Sequence, residues 1–121
     1  AEAVHALAHQ QGRIVGATEE EARAAGDAVV AALASPLLRR AAAALEVRRE
    51  TPVWLRRSDG TLAEGVVDLA FREADGWVVV DFKTDRELAE RREVYAAQVL
   101  LYAEAVAAAT GLAARGVLLQ V

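Results

Sequence analysis

Asp68, Asp81 and Lys83 are the residues of this 121-residue chain whose types and spacing could do chemistry. Side chains alternate faces along a strand. In the run Trp77-Val78-Val79-Val80-Asp81-Phe82-Lys83, the acid and the base therefore share one face while Val78, Val80 and Phe82 share the other. In the preceding run Val67, Leu69 and Phe71 take the apolar face, which leaves Asp68 on the opposite one with Val66 and Ala70. A hairpin folded about the turn at residues 74–76 puts Asp68 opposite the stretch from Asp81 to Lys83, within one residue pair. Two carboxylates and an ammonium converging on an apolar sheet are costly unless something compensates them, and a divalent cation between the carboxylates does so directly. Protonated Lys83 cannot ligate that cation, yet it can orient or deprotonate a water, or neutralise charge growing on a phosphate. The combination suits phosphodiester hydrolysis. The competing reading is a structural Asp–Lys pair at a strand end; Asp68 on the neighbouring strand weighs against it.

The composition narrows the metal. The chain has no cysteine, which removes disulfides, thiolate zinc sites and cysteine-held iron–sulfur clusters. Any metal must be held by carboxylates, imidazole, carbonyls or water, a donor set that favours a hard cation such as Mg2+. His5, near Val4 and Ala8 in a first helical pattern, is a candidate imidazole, although a lone helical histidine is more often structural.

The elements that must position these groups follow from periodicity. Val4, Leu7, Ala8 and Gln11 predict a first helix over residues 2–11, with Gly12 as its stop. Thr18 and Glu21 form a capping-box pattern opening a second helix to about Ser35, and Ser35-Pro36 opens a short third through the alanine run 41–44. Alternation then predicts strands over 46–57 and 61–72, joined at Ser58-Asp59-Gly60, and a third over 77–83 after Ala74-Asp75-Gly76. The third is β-branched and apolar, as befits a central strand covered on both sides. A long helix over 91–110 closed by Gly111 and a final strand over 115–121 complete a single α/β domain, a mixed sheet with an antiparallel three-strand meander flanked by helices. The long helix carries Tyr95, Gln98 and Tyr102 at i, i+3 and i+7, on one face. Either the tyrosines are core and Gln98 bonds to backbone, or Gln98 and Tyr102 face DNA or the surroundings of the metal.

Taken together, Gly65-Val-Val-Asp68, Asp81-Phe-Lys83-Thr84 and Tyr95-x-x-Gln98-x-x-x-Tyr102 resemble the RecB-type branch of the PD-(D/E)xK nuclease superfamily, over nearly the whole chain. The likeness is greatest to the C-terminal nuclease domains of RecB- and AddA-like helicase-nucleases, which process double-strand breaks. The resemblance implies a restriction-endonuclease-like fold and a metal site formed by His5, Asp68, Asp81 and the main-chain carbonyl of Phe82. It also implies that Lys83 activates or positions the attacking water, that Gln98 and Tyr102 border the site, and that products carry 5′-phosphates. The metal it implies is Mg2+, with Mn2+ as substitute. Glu50 and Glu64 lie near the sheet but match no ligand of the family and stay outside the set. The branch that carries an iron–sulfur cluster is excluded by the missing cysteines.

The formal net charge of −4 argues against holding nucleic acid by bulk electrostatics. Paired arginines at 39-40, 48-49, 56-57 and 91-92 could meet phosphates if the fold gathers them on one face; otherwise they are solvated surface. The expectation is a DNA nuclease domain to which a helicase in the same polypeptide, with a partner subunit, delivers a single strand. A chain that begins at Ala1 inside a helical pattern fits a piece excised from a longer polypeptide. No apolar run approaches the roughly 20 residues that span a bilayer, so a soluble, cytoplasmic domain without membrane contact is expected. The alternative is a catalytically inactive nuclease-fold module for DNA binding or subunit docking.

Overall fold

The structure, a computed structural model, describes residues 2–121. It divides into two compact units, one running through Arg39 with Val121 and the other spanning Arg40–Gln120.

In the first unit, α1 (Glu2–Val15) packs on α2 (Glu19–Leu33). Gly12 does not stop α1, as the sequence predicts, but is buried inside it. A Cβ at Gly12 would lie 3.2 Å from Cβ of Ala22, so glycine there permits a close helix–helix approach. The stop falls at Gly16, with φ 80°. The predicted capping box opens α2: Glu21 N–H donates to Thr18 Oγ1 at 3.1 Å and Thr18 N–H to Glu21 Oε1 at 3.3 Å. Ser35 caps α3 (Pro36–Ala42), its Oγ accepting from Leu38 N–H at 3.2 Å.

The second unit is a four-stranded sheet in the order β1-β2-β3-β4, with strands at Glu46–Arg56, Leu62–Glu73, Gly76–Lys83 and Ala114–Gln120. The first three form the expected antiparallel meander. After β3, the crossover helix α4 (Asp85–Thr110) returns the chain so that β4 pairs parallel with β3. The first turn is pinned by Asp59, whose Oδ1 accepts from Thr61 N–H and Oγ1 at 2.9 and 2.6 Å. Central β3 is buried on both faces from Trp77 to Asp81.

The site and core faces are not segregated as strict alternation predicts. Trp77 and Val79, which share the parity of Asp81, belong with Val67 and Ala70 to the cluster packed on Val99, Ala103 and Val106 of α4. Val67 and Ala70 are three residues apart yet face the same helix, so β2 breaks alternation around Asp68. Ala70 therefore joins the core beside Val67, and Val67 does not share a face with Phe71. At the same level β1 is distorted: its register runs Arg49↔Leu69 then Thr51↔Val67, and intervening Glu50 has φ 46°. A left-handed non-glycine residue costs roughly 1–2 kcal/mol, and period-two sequence reading has no symbol for it.

α4 begins before the predicted residue 91. Thr84 and Glu87 form a second capping box, with Glu87 N–H on Thr84 Oγ1 at 3.2 Å and Thr84 N–H on Glu87 Oε1 at 3.0 Å. The helix is interrupted at Arg91 (φ −142°, ψ 34°), so the predicted start marks its second segment. Gly111 closes it with φ 73°, donating to Ala107 O at 2.9 Å.

Candidate active site

The β2–β3 register runs to Leu69↔Val80, and one further step brings Asp68 level with Asp81. Asp68 is held there by the backbone of the neighbouring strand, its Oδ2 accepting from Phe82 N–H at 3.0 Å. Asp81, at the end of the buried run of β3, is 5 % exposed. Burial, and then a hydrogen bond shared with the Asp68 carboxyl, push it up to about 6, against the opposing pull of Lys83. The two carboxyl groups are thus close enough to compete for one proton.

Lys83 lies two residues on and on the same face, its Nζ 3.3 Å from Asp81 Oδ2. That contact is an ion pair by distance but is not aligned as a hydrogen bond, for Oδ2 is buried without a hydrogen-bond partner. Burial pulls the lysine down; its contact with Asp81 and the charges of Asp81, Glu87 and Asp68 outweigh it and hold Lys83 above its ordinary value. Without metal it is a protonated donor. Its ammonium also sits 4.5 Å from the centre of the Tyr95 ring.

Tyr102 faces the same group of residues. Its phenol ring and hydroxyl occupy the space that a Cβ at Gly65 would need, with ring Cζ 2.7 Å from that position. Glycine at 65 is therefore what admits Tyr102 against β2. Burial and the charge of Asp81 hold the Tyr102 hydroxyl above its usual range, and its partner Gln98 acts in the opposite direction. Gln98 itself is exposed and lies beside the Tyr102 hydroxyl.

The structure thus brings together, in one unit, Asp68, Asp81, Phe82, Lys83, Gln98 and Tyr102. His5 belongs to the first unit, where its Nε2 lies 2.7 Å from Asp27 Oδ1 and its carbonyl takes a bond from His9 Nδ1 at 2.8 Å. Gly26 makes room for that imidazole: a Cβ there would lie 2.6 Å from His5 Cδ2. Among the described residues no three His, Cys, Asp or Glu side chains gather closely enough to hold a metal. The fit to a cation rests instead on the paired carboxyls and on the buried Oδ2 of Asp81, which has the Lys83 ammonium at 3.3 Å but no hydrogen-bond partner. A cavity of about 610 Å³, lined by Trp54, Trp77, Ala105 and Val106 among others, includes none of these site residues and is a separate feature.

Five residues outside the predicted set bear on this neighbourhood. Gly65 was legible as a glycine inside a strand, and Thr84-x-x-Glu87 as a capping box. Glu50, at the level of Asp68, is marked only by its φ, and Arg91 only by the break in α4.

A sheet whose middle strand ends in Asp-x-Lys, with an aspartate level with it on the adjacent strand, is the arrangement that the sequence resemblance to nucleases leads one to expect. The chain matches the PD-(D/E)XK nuclease superfamily over residues 2–121 and belongs to it. Among curated relatives it is similar to ATP-dependent helicase/nuclease subunits from three bacteria. With that of Desulforudis audaxviator it is 39% identical over 112 residues, covering 75% of this chain and 9% of the relative. With that of Anoxybacillus flavithermus the identity is 32% over 120 residues, 87% of this chain and 10% of the relative. With that of Heliobacterium modesticaldum it is 37% over 95 residues, 61% and 7%. The chain spans about a tenth or less of the length of these relatives.

Proposed function

We propose that this chain is a metal-dependent deoxyribonuclease domain acting within a larger helicase-nuclease. One observation carries the reading: Asp81 is buried beside a second carboxyl, and its Oδ2, 3.3 Å from the Lys83 ammonium, has no hydrogen-bond partner. Asp68, Asp81 and the Phe82 carbonyl would hold a divalent cation, Mg2+ or in its place Mn2+, which supplies Lewis-acid chemistry at the phosphate. Asp68 is pre-positioned for that role by its bond to Phe82 N–H. Lys83, protonated and anchored between Asp81 and Tyr95, faces the charge that grows on phosphorus as water oxygen attacks. The bond to the 3′-oxygen breaks, that oxygen takes a proton, and the product keeps a 5′-phosphate. Gln98 and Tyr102 border the site and restrict its shape. His5 is proposed as a further ligand on the resemblance alone.

The relatives are named as ATP-dependent helicase/nuclease subunits, which supports a helicase in the same polypeptide and a partner subunit; single-stranded DNA as the delivered substrate, a part in double-strand-break repair and a cytoplasmic location are proposed on the resemblance alone. No helix of the described residues is long and apolar enough to cross a membrane.

The test is cleavage of end-labelled linear and closed circular single-stranded DNA with Mg2+, Mn2+ or EDTA, beside Asp81→Ala. Cleavage that needs both metal and Asp81 is the expected result, and the circle reports whether an end is required. Metal binding without cleavage would assign the domain to dependence on its motor. Loss of both would leave the inactive docking module.

A further inference from the structure

The arginines near the sheet and α4 differ in what engages them. Arg40 is held by Glu73, Arg48 by Glu46 at 2.8 Å and Arg86 by Glu90 at 3.4 Å. Arg91 enters no ion pair among the described residues and is exposed. It is also the residue at which α4 leaves helical geometry. Its guanidinium lies 5.9 Å from the centre of the Tyr95 ring, the same ring that carries Lys83 Nζ at 4.5 Å. The residue at the break thus lies against the ring of Tyr95. One aromatic ring thereby joins an exposed cation to the lysine of the catalytic pair.

The charge around the site gives that cation a purpose. Asp68, Asp81 and Glu87 all act on Lys83, whose own charge is answered by Asp81, and the chain carries a formal net charge of −4. A polyanion approaching these carboxylates needs a cation at their border that is not already neutralised. Ring contact leaves the guanidinium N–H fork open to a phosphate, whose non-bridging oxygens match it in geometry. Resting on the nuclease reading above, we propose that Arg91 is a substrate-binding residue that holds a strand phosphate next to the one attacked at Asp81 and Lys83.

The test is fluorescence anisotropy of a labelled single-stranded oligothymidylate titrated with the whole chain in Ca2+, across several salt concentrations, for wild type, Arg91→Ala, Arg91→Lys and Arg92→Ala. Arg91→Ala is expected to weaken binding about tenfold, the size of one lost charge-assisted contact. The slope of log affinity against log salt should shrink by about 0.7, one phosphate's share for a single strand. Arg91→Lys should restore the slope but not the full affinity, and Arg92→Ala should match wild type. In cleavage with Mg2+, KM should rise for Arg91→Ala while kcat and the melting temperature hold. Unchanged affinity, slope and KM in Arg91→Ala would overturn the phosphate role and leave the nuclease reading standing. Equal losses in Arg92→Ala would overturn it in favour of diffuse charge. A wild-type chain that binds neither metal nor DNA and does not cleave would remove the nuclease reading, and this proposal with it.

Discussion

Two acid–base pairs in the sheet unit show how the same partners serve different ends. Glu73, closing β2, meets Arg40 through two hydrogen bonds, one of 3.0 Å from Nε. That bond, ahead of any cost of burial, holds its carboxyl below the ordinary range. Asp81, closing the buried run of β3, meets Lys83 at 3.3 Å without a formed hydrogen bond, and burial with Asp68 pushes it to about 6. The satisfied pair is structure. The second pair holds a buried carboxylate oxygen without a hydrogen bond, beside a second carboxyl, the usual condition of a ligand site. Trp77, at the other end of β3, sharpens the point: its Nε1 is also buried without a partner, but a neutral N–H calls for an acceptor and not for a cation.

The largest effect should come from breaking the active pair. Asp81→Asn is expected to reduce cleavage on the order of a thousandfold or more, as loss of a group acting in a concerted unit does, while raising the melting temperature of the metal-free chain. Thermal unfolding beside a cleavage assay checks both, and a destabilised Asp81→Asn protein would contradict the view that this carboxylate is uncompensated.

Lys83→Ala should follow, with a loss on the order of a hundredfold in kcat, typical of a removed transition-state donor, and little change in metal affinity measured by calorimetry. A smaller loss is expected for Gly65→Ala, which forces Tyr102 away from β2. The double variant Gly65→Ala with Tyr102→Ala should be no slower than Tyr102→Ala alone, since the steric conflict is then gone, and additive losses would show that Gly65 acts by another route.

The pH response separates the two pairs by sign. Asp81 binds its proton more tightly folded than unfolded, so in EDTA the folded state loses stability as pH rises from the ordinary carboxylate range through about 6. Mg2+ should flatten that fall, and Asp81→Asn should abolish it. Glu73 has a lowered folded value, so its contribution is present above the ordinary carboxylate range and is lost as acid carries the pH down through that lowered value. Glu73→Gln should remove only this acid limb, the smallest of the effects, and leave cleavage unchanged. Chemical denaturation across pH 3–8, an interval of about five units around the usual carboxylate values, reads both limbs.

Much of this architecture is legible in linear form because its signals are local. Thr18 and Glu21 announce a helix start, Gly111 an end, and the valines of β3 a strand covered on both faces. Asp81 and Lys83 share a face by period-two geometry alone. The misread places are those where a neighbour overrides a local rule. Gly12 reads as a helix stop until Ala22 packs against it. Val67 reads as a companion of Leu69 and Phe71 until the break in alternation turns it to α4. The identity and spacing of Asp68, Asp81 and Lys83, and the absence of thiolate ligands, belong to the sequence by itself, because covalent order and side-chain chemistry determine them. Only the tertiary structure decided that Asp81 Oδ2 is left without a hydrogen bond, that Tyr102 fills the space beside Gly65, and that Arg91 and Lys83 meet one tyrosine ring. Those are properties of distance and solvent exclusion between strands and a helix far apart in the chain, and no local pattern of residues encodes them.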